Sequence, residues 1–336
     1  MHETWFVILA LMLTAYAVLD GFDLGVGALL PWLCRTEEER QQARDSIGPV
    51  WNGNEVWLIA AGGAMFMAFP RLYAASFSGF YLALMLVLWL LILRGVGFEF
   101  RHANHSPLWT GLWDTVFSGA SVLLAVLLGV AVGNVLRGVP LNAQGEFQGS
   151  FALMLNPFAL LAGVLSLVTL CLHGAAFLAM KTEGALQERA RKLSLTLWVG
   201  TAVLTVIFVV TSGFARPDFT ANFARQPLLF LLPLLALAAL VAIPLMAKRE
   251  QDGRLFGATT LLIVSLLASA AAGLFPRLLP ALGHNPQADL TIYNAASSPH
   301  SLLTALIMNM IGMIAVIAYT SYVYKIWSGK VKPLGY

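Results

Sequence analysis

Long apolar stretches separated by short polar intervals run through the whole chain of 336 residues. A membrane-spanning helix needs about 20 mostly apolar residues, and no alternating strand pattern is present. The pattern predicts an all-α polytopic membrane protein, a single domain over residues 1–336, with nine transmembrane helices. The nine segments are residues 5–33, 53–70, 72–93, 113–136, 157–180, 193–213, 227–247, 255–275 and 301–327.

The composition excludes most classes of soluble protein. Charged residues make up 11% of the chain and hydrophobic residues 59%, whereas a typical soluble domain is about 25% charged. The net charge of +3 gives no basic patch, so we expect no nucleic-acid partner. Cys34 and Cys171 lie far apart and form no CxxC motif, so neither a metal site nor a redox pair is indicated.

The distribution of Lys and Arg predicts the orientation in the membrane. Of the 20 basic residues, 15 fall on the side of the C-terminus, Lys332 among them. The positive-inside rule then predicts a cytoplasmic C-terminus, an outer N-terminus, and no base deep in the bilayer. The first apolar run is too long for a signal peptide and has no preceding base, so we interpret it as a retained helix. The other five bases are Arg71, Arg137, Arg216, Arg225 and Arg277.

Two carboxylates interrupt the first apolar segment. Asp20 and Asp23 are three residues apart and so share one face of a helix. An ionised carboxylate in lipid is costly, so this face must meet protein, water or an ion. Gly21 and Gly25 form a GxxxG motif, which allows a neighbouring helix to approach closely. The pair indicates either a proton or ion pathway or a hydrogen-bonded structural pair.

A second polar cluster opens the second segment. Asn52 and Glu55 lie within its first turn or two, at a depth where they could continue a path from Asp23. Trp51 and Trp57 flank them and are candidate interfacial anchors.

A third cluster follows the third segment, where Arg94, Glu99 and Arg101 alternate in the run RGVGFEFR. These residues fit either interfacial ion pairs or a solvated helix end with snorkelling side chains. Asp114, at the start of the fourth segment, belongs to the same rim.

The histidines argue against a haem ligated by this chain. His173 is the one histidine inside an apolar segment, and a haem held by two histidines needs two buried ligands at matching depth. We therefore expect no metal ligand here and interpret His173 as a hydrogen-bonded interior residue, with a proton relay or a partner contact as the alternatives. The other histidines are His2, His102, His105, His284 and His300.

Several runs together resemble subunit II of the cytochrome bd-type quinol oxidases, and the resemblance spans the whole chain. The compact length of the chain and the motif RGVGFEFR favour the cyanide-insensitive branch of that family. The runs that carry the resemblance are LDGFDLGVG (19–27), PVWNGNEVWL (49–58), FPRLYA (69–74), RGVGFEFR (94–101), SSPHSL (297–302), and Ala318-Tyr319-Thr320 with Tyr324.

The resemblance implies a prokaryotic cytoplasmic-membrane complex that oxidises quinol and reduces dioxygen to water. It implies haems of types b and d in a partner, subunit I, and a fold of two four-helix bundles plus one peripheral helix in this chain. It also implies that this chain stabilises subunit I and lines a proton path from the cytoplasm. A bound structural quinone and small single-helix accessory subunits remain open.

The positions that match the family's proton path are Asp20, Asp23 and Asn52. Many relatives have Asp where this chain has Asn52, and an amide cannot take up a proton in that role. Glu55, three residues later, is the candidate substitute. Two alternatives stay open at this point, namely a purely structural scaffold subunit of the same oxidase and an ion-coupled secondary transporter.

Overall fold

Helices dominate the computed structural model, which describes residues 1–104, 106–283 and 285–331. His105, His284 and Lys332, which the sequence analysis assigned to intervals or to the cytoplasmic side, lie outside these ranges. The helices are α1 (His2–Leu33), α2 (Glu37–Ile47), α3 (Trp51–Ala68), α4 (Pro70–Gly79), α5 (Tyr81–Phe100), α6 (Pro107–Arg137), α7 (Phe151–Met154), α8 (Pro157–Lys181), α9 (Gly184–Ala215), α10 (Ala221–Arg225), α11 (Leu231–Lys248), α12 (Asp252–Leu274) and α13 (Pro299–Ile326).

Short elements complete the described part of the chain. Single 3-10 turns form at Arg101–Ala103, Pro217–Thr220 and Pro227–Phe230. Two short strands, β1 (Arg277–Leu279) and β2 (Leu290–Thr291), pair in antiparallel fashion. They lie in the long polar interval before α13.

Eight helices in the described ranges are long and apolar enough to cross a membrane, which confirms the prediction of an all-α polytopic membrane protein. The predicted segment that is not among them corresponds to α3, with 18 residues. Asn52, Asn54 and Glu55 lie in its first two turns and lower its mean hydropathy. The difference between eight and nine spans therefore concerns α3 alone. The eight are His2–Leu33, Tyr81–Ala103, Pro107–Arg137, Pro157–Lys181, Gly184–Ala215, Pro227–Lys248, Asp252–Leu274 and Pro299–Ile326.

The third predicted segment, 72–93, differs from the observed helices. The chain breaks at Phe80 between α4 and α5, and α5 then continues to Phe100. Arg94 is therefore inside a helix and not beyond its end. The apolar run ends before Arg94 because arginine is charged. The backbone remains helical through Arg94, since carboxylates inside the protein neutralise the charge of its side chain.

A polar helix, α2, fills the interval after α1. A capping box begins it, because the Thr36 hydroxyl accepts from the Glu39 amide and the Glu39 carboxylate accepts from the Thr36 amide. Glu39 also pairs with Arg189 of α9 at 2.5 Å. The Arg189 guanidinium holds the pKa of the Glu39 carboxyl below its usual range. The helix thus ties the first half of the chain to the second.

The long helices pack in two sets. In the first set, α1 contacts α3 and α6, and α6 contacts α5. In the second set, α8 contacts α9, α9 contacts α11, α11 contacts α12, and α12 contacts α8. The sets meet where α1 and α6 pack on α8 and where α1 packs on α12. α13 packs mainly on α3. The centre of the molecule is therefore the contact between α1 and α8.

Candidate functional site

Small residues bring α1 and α8 into backbone contact. A Cβ added at Gly25 would lie 1.9 Å from the carbonyl oxygen of Leu170, and one added at Gly174 would lie 2.4 Å from the carbonyl carbon of Gly25. A Cβ at Gly21 would meet the Leu170 side chain at 2.8 Å. Gly21 and Gly25 therefore lie at a close helix crossing, as a GxxxG motif permits.

Asp20 forms a bidentate ion pair with Arg94 of α5. The distances are 2.5 Å from Nη2 to Oδ1 and 3.0 Å from Nη1 to Oδ2, and both residues are 0% exposed. Nη1 also donates to Glu55 Oε1 at 3.0 Å. Arg94 therefore does not lie at a solvated rim, and the expectation of an exposed helix end is wrong for this residue. A fully buried guanidinium is retained because two carboxylates surround it.

Asp23 has a different partner from Asp20. Asn54 Nδ2 donates to Asp23 Oδ2 at 2.8 Å, and Arg94 Nη2 is 4.0 Å from that same oxygen. The other oxygen, Oδ1, is buried and has no hydrogen-bond partner among the described residues. The Asp23 carboxyl group thus has one oxygen held and one free inside the protein.

The structure does not bring Asn52 to this cluster. Its side chain is exposed on the opposite side of α3 from Asn54, whereas the Glu55 side chain is 24% exposed and reaches Arg94. Trp51 and Trp57 are each 8% exposed. Both tryptophans are therefore buried within the protein and do not lie on its surface, where interfacial anchors would be expected.

A second ionic network joins α2, the end of α5 and the start of α6. Arg101 Nε donates to Asp114 Oδ1 at 2.8 Å, and Arg101 Nη2 also pairs with Glu37. Arg44, 1% exposed, pairs with the same Asp114 carboxylate. Glu99 is exposed, so the ion pairs run between helices and do not follow the alternating run of the sequence.

His173 is enclosed at the contact of α8 with α1 and α12. Nε2 lies 3.1 Å from the Val18 carbonyl and Nδ1 lies 2.8 Å from the Thr259 hydroxyl. The carbonyl only accepts, so in a neutral ring Nε2 carries the proton and Nδ1 accepts. Phe256 stacks on the ring at a centroid distance of 4.7 Å. Both ring nitrogens therefore have hydrogen-bond partners inside the protein.

Four residues of the two charged clusters were not predicted as site residues, and Glu37 is one of them. Asn54 stands in the quoted run PVWNGNEVWL, and Tyr324 was quoted as part of a motif, but neither was assigned a contact. Tyr324 donates from its hydroxyl to Asn54 Oδ1 at 2.9 Å. Arg44 was counted only as a cytoplasmic base. Asn54 and Arg44 stand in polar runs of the sequence, so no local signal distinguished them from their polar neighbours.

The comparisons with known proteins point in one direction. Residues 1–327 match the family model described as cytochrome bd terminal oxidase subunit II. A probable cytochrome oxidase subunit 2 of Haemophilus influenzae is 38% identical, over 97% of this chain and 94% of that protein. The cytochrome bd-I ubiquinol oxidase subunit 2 of Escherichia coli is 34% identical, over 95% of this chain and 92% of that protein.

A solved structure has the same fold. The bd oxidase from Geobacillus thermodenitrificans includes a chain that matches with a TM-score of 0.80, covering 97% of this chain and 98% of that one. The identity is 18%, so this likeness concerns the fold alone.

Proposed function

The chain belongs to the cytochrome bd terminal oxidase subunit II family, and from this premise we propose that it stabilises a haem-bearing subunit I and conducts protons toward it. It is a subunit of a membrane quinol oxidase complex, a terminal respiratory oxidase. The transporter alternative has no support from this family.

We assign the haems of types b and d to the partner subunit. The described residues include no group of three or more His, Cys, Asp or Glu able to hold a metal ion. Both ring nitrogens of His173 have hydrogen-bond partners, which supports placing the haem ligands in the partner subunit. Quinol and dioxygen would then be handled by the complex. A structural quinone and small accessory subunits stay predictions from the family resemblance.

For the architecture, we propose nine spans in two four-helix bundles, with α13 peripheral. The contacts of α3 support counting it as a span. Its start meets Asp23, toward the end of α1, whereas the carbonyl at its end, Ala68, accepts from the Ser297 amide just before α13. Leu302, at the start of α13, accepts in turn from Trp5 at the start of α1. α3 therefore runs antiparallel to α1 over most of its length.

Nine spans put the two termini on opposite sides of the membrane. The excess of Lys and Arg on the side of the C-terminus then favours an outer N-terminus and a cytoplasmic C-terminus. In this orientation Asp20, Asp23 and Glu55 lie in the cytoplasmic half of the protein, as a proton intake from the cytoplasm requires.

The observation that carries the proton-path proposal is a buried cluster of three carboxyl groups around one guanidinium. One positive charge cannot balance three carboxylates away from water, which favours binding of a proton within the cluster. Glu55, the partly exposed member, would exchange protons with water. Asp23, with its free buried oxygen, would hold the proton, and Asp20 would fix Arg94. Glu55 thereby replaces the acid that Asn52 does not supply.

The exposed stripe of α3 favours contact with the partner subunit. It contains Asn52, Val56, Ile59, Gly63 and Phe66, all exposed and spaced as one helix face. An asparagine directed at hydrocarbon is disfavoured, whereas a polar group between packed helices finds partners. We propose that subunit I covers this stripe, which gives Asn52 a role at the interface in place of the proton path.

Single substitutions in the assembled complex test the proton path. D23N and E55Q should assemble with unchanged haem content, and D23N should lower quinol oxidase turnover by about 100-fold, as expected when a proton-transfer group is lost. E188Q is the control for E55Q, because Glu188 is a carboxylate on α9 whose side chain is 67% exposed. Wild-type turnover in D23N would refute the path. Loss of haem or assembly in D23N would favour the scaffold alternative.

A further inference from the structure

The peripheral helix α13 reaches the buried acids through one side chain. Tyr324 contacts Asn54 by a hydrogen bond of 2.9 Å from its hydroxyl to Oδ1. Two other tyrosines of the same helix, Tyr319 and Tyr322, are 60% and 64% exposed. Of these three tyrosines, Tyr324 is thus the one whose hydroxyl reaches the buried cluster.

The hydrogen bonds fix which way the Asn54 amide points. Its Nδ2 lies 2.8 Å from Asp23 Oδ2 and 3.1 Å from the Leu19 carbonyl oxygen. Both of these oxygens accept, so the amide nitrogen has to face them. Oδ1 then faces Tyr324, whose hydroxyl must donate. Reversing the amide would put its oxygen against two other oxygens.

Asp23 is held on one side only. Asn54 donates to Oδ2, while Oδ1 is buried without a hydrogen-bond partner among the described residues. The charged groups that face it are Asp20 on its own helix, Glu55 on α3 and Arg94 on α5. Asn54 and Tyr324 are neutral, so they orient the carboxyl group without changing the charge of the cluster.

We propose that Tyr324 is a positioning residue, which acts through Asn54 to hold the Asp23 carboxyl group with Oδ1 directed away for proton binding. A hydroxyl that donates to an amide oxygen polarises the amide and strengthens its N–H donation. Helix α13 therefore takes part in proton handling as well as in packing. This inference rests on the proposed proton path through Asp23.

The test compares Y324F with Y322F in the complete oxidase complex. Y324F removes one hydroxyl group and should leave assembly and haem content unchanged. Its turnover should fall about fivefold, the fold-change that corresponds to the loss of one hydrogen bond. The midpoint of the pH dependence of turnover should move by roughly half a unit. Y322F should match the wild type in both measurements.

A double-mutant cycle with N54A shows whether Tyr324 acts through Asn54. On the N54A background, Y324F should have no further effect on turnover, because the residue that connects it to Asp23 is absent. Equal effects of Y324F on both backgrounds would overturn the proposal. So would loss of assembly in Y324F while N54A assembles, since the tyrosine would then be merely structural.

The outcome for D23N separates this inference from the proton path itself. If D23N turns over at the wild-type rate, both proposals fail. If D23N is inactive while Y324F keeps the wild-type rate and pH dependence, the inference about Tyr324 alone fails.

Discussion

Each carboxyl group of the buried cluster offsets its loss of water in a different way. Asp20 accepts hydrogen bonds from both Nη atoms of Arg94. Asp23 accepts one from the Asn54 side-chain amide, and Glu55 remains partly exposed. These differences divide the roles in our proposal, because both oxygens of Asp20 are held by Arg94, whereas Asp23 Oδ1 has no hydrogen-bond partner among the described residues.

Removal of Arg94 should destabilise the complex more than removal of an exposed arginine. R94L leaves Asp20 buried without its partner, and breaking a buried ion pair in this way costs about 3–5 kcal/mol. We expect a lower Tm and a lower yield of assembled complex. The D20L/R94L double variant should recover only part of the loss. It removes the unpaired Asp20 carboxylate, but Glu55 and Asp23 still lose the Arg94 guanidinium.

The control is R254L, since Arg254 is exposed and its guanidinium donates to the neutral Gln251 side chain. A Tm for R94L equal to that of R254L would show that the ion pair does not stabilise the fold.

At the scale of helices, the apolar pattern located most elements but not their limits. α2 is polar and was expected to be part of an interval, and α5 continues past the apolar run to Phe100. A helix persists wherever its polar side chains find partners, and those partners come from other helices. The GxxxG motif of Gly21 and Gly25 implied a close contact with some neighbouring helix, and the structure identifies that helix as α8.

Substitution at the α1–α8 crossing should separate the two sets of helices. In G25A the new methyl group would overlap the Leu170 carbonyl oxygen, which is backbone and cannot move without the helix. We expect loss of assembly or a Tm lower by several degrees, since overpacking costs about 1–3 kcal/mol.

G312A is the matched control, because Gly312 lies within α13 and a Cβ there meets nothing within 4 Å. Alanine is the better helix former, so G312A should be neutral or slightly stabilising. Equal stability of the two variants would contradict the crossing.

At the scale of the whole molecule, apolar exposure is spread over many helices, as expected of a protein surrounded by lipid. The stripe of α3 differs because it combines apolar residues with Asn52. The exposed face of α9 with Val199, Val203 and Val206 carries Thr196 in place of an amide, and a threonine hydroxyl can bond to the backbone of its own helix.

A bulky residue on the α3 stripe should hinder assembly with the partner subunit. Ile59 is 74% exposed, so I59W adds volume at the proposed interface without altering the fold of this chain. We expect less haem-bearing subunit to co-purify with I59W than with the wild type. V206W is the control, since Val206 of α9 is 62% exposed and lies outside the proposed interface. Equal co-purification of both variants would refute this interface.

The sequence by itself determined the membrane class, the all-helical fold, the family and the carboxyl groups of α1. The length of an apolar run and the presence of a charge within it are visible in the sequence. They depend on how each residue interacts with water or lipid, so they can be interpreted without knowing which helices touch. Family membership followed from ordered runs of residues, and the comparisons confirmed it.

Only the tertiary structure decided which groups neutralise one another. Arg94 and Asp20 are 74 positions apart, and Tyr324 and Asn54 are 270 apart. A buried charge requires a partner, but the requirement does not say which of several polar residues supplies it. That choice depends on the order and rotation of the helices, which excluded Asn52 from the cluster and included Asn54, two residues away.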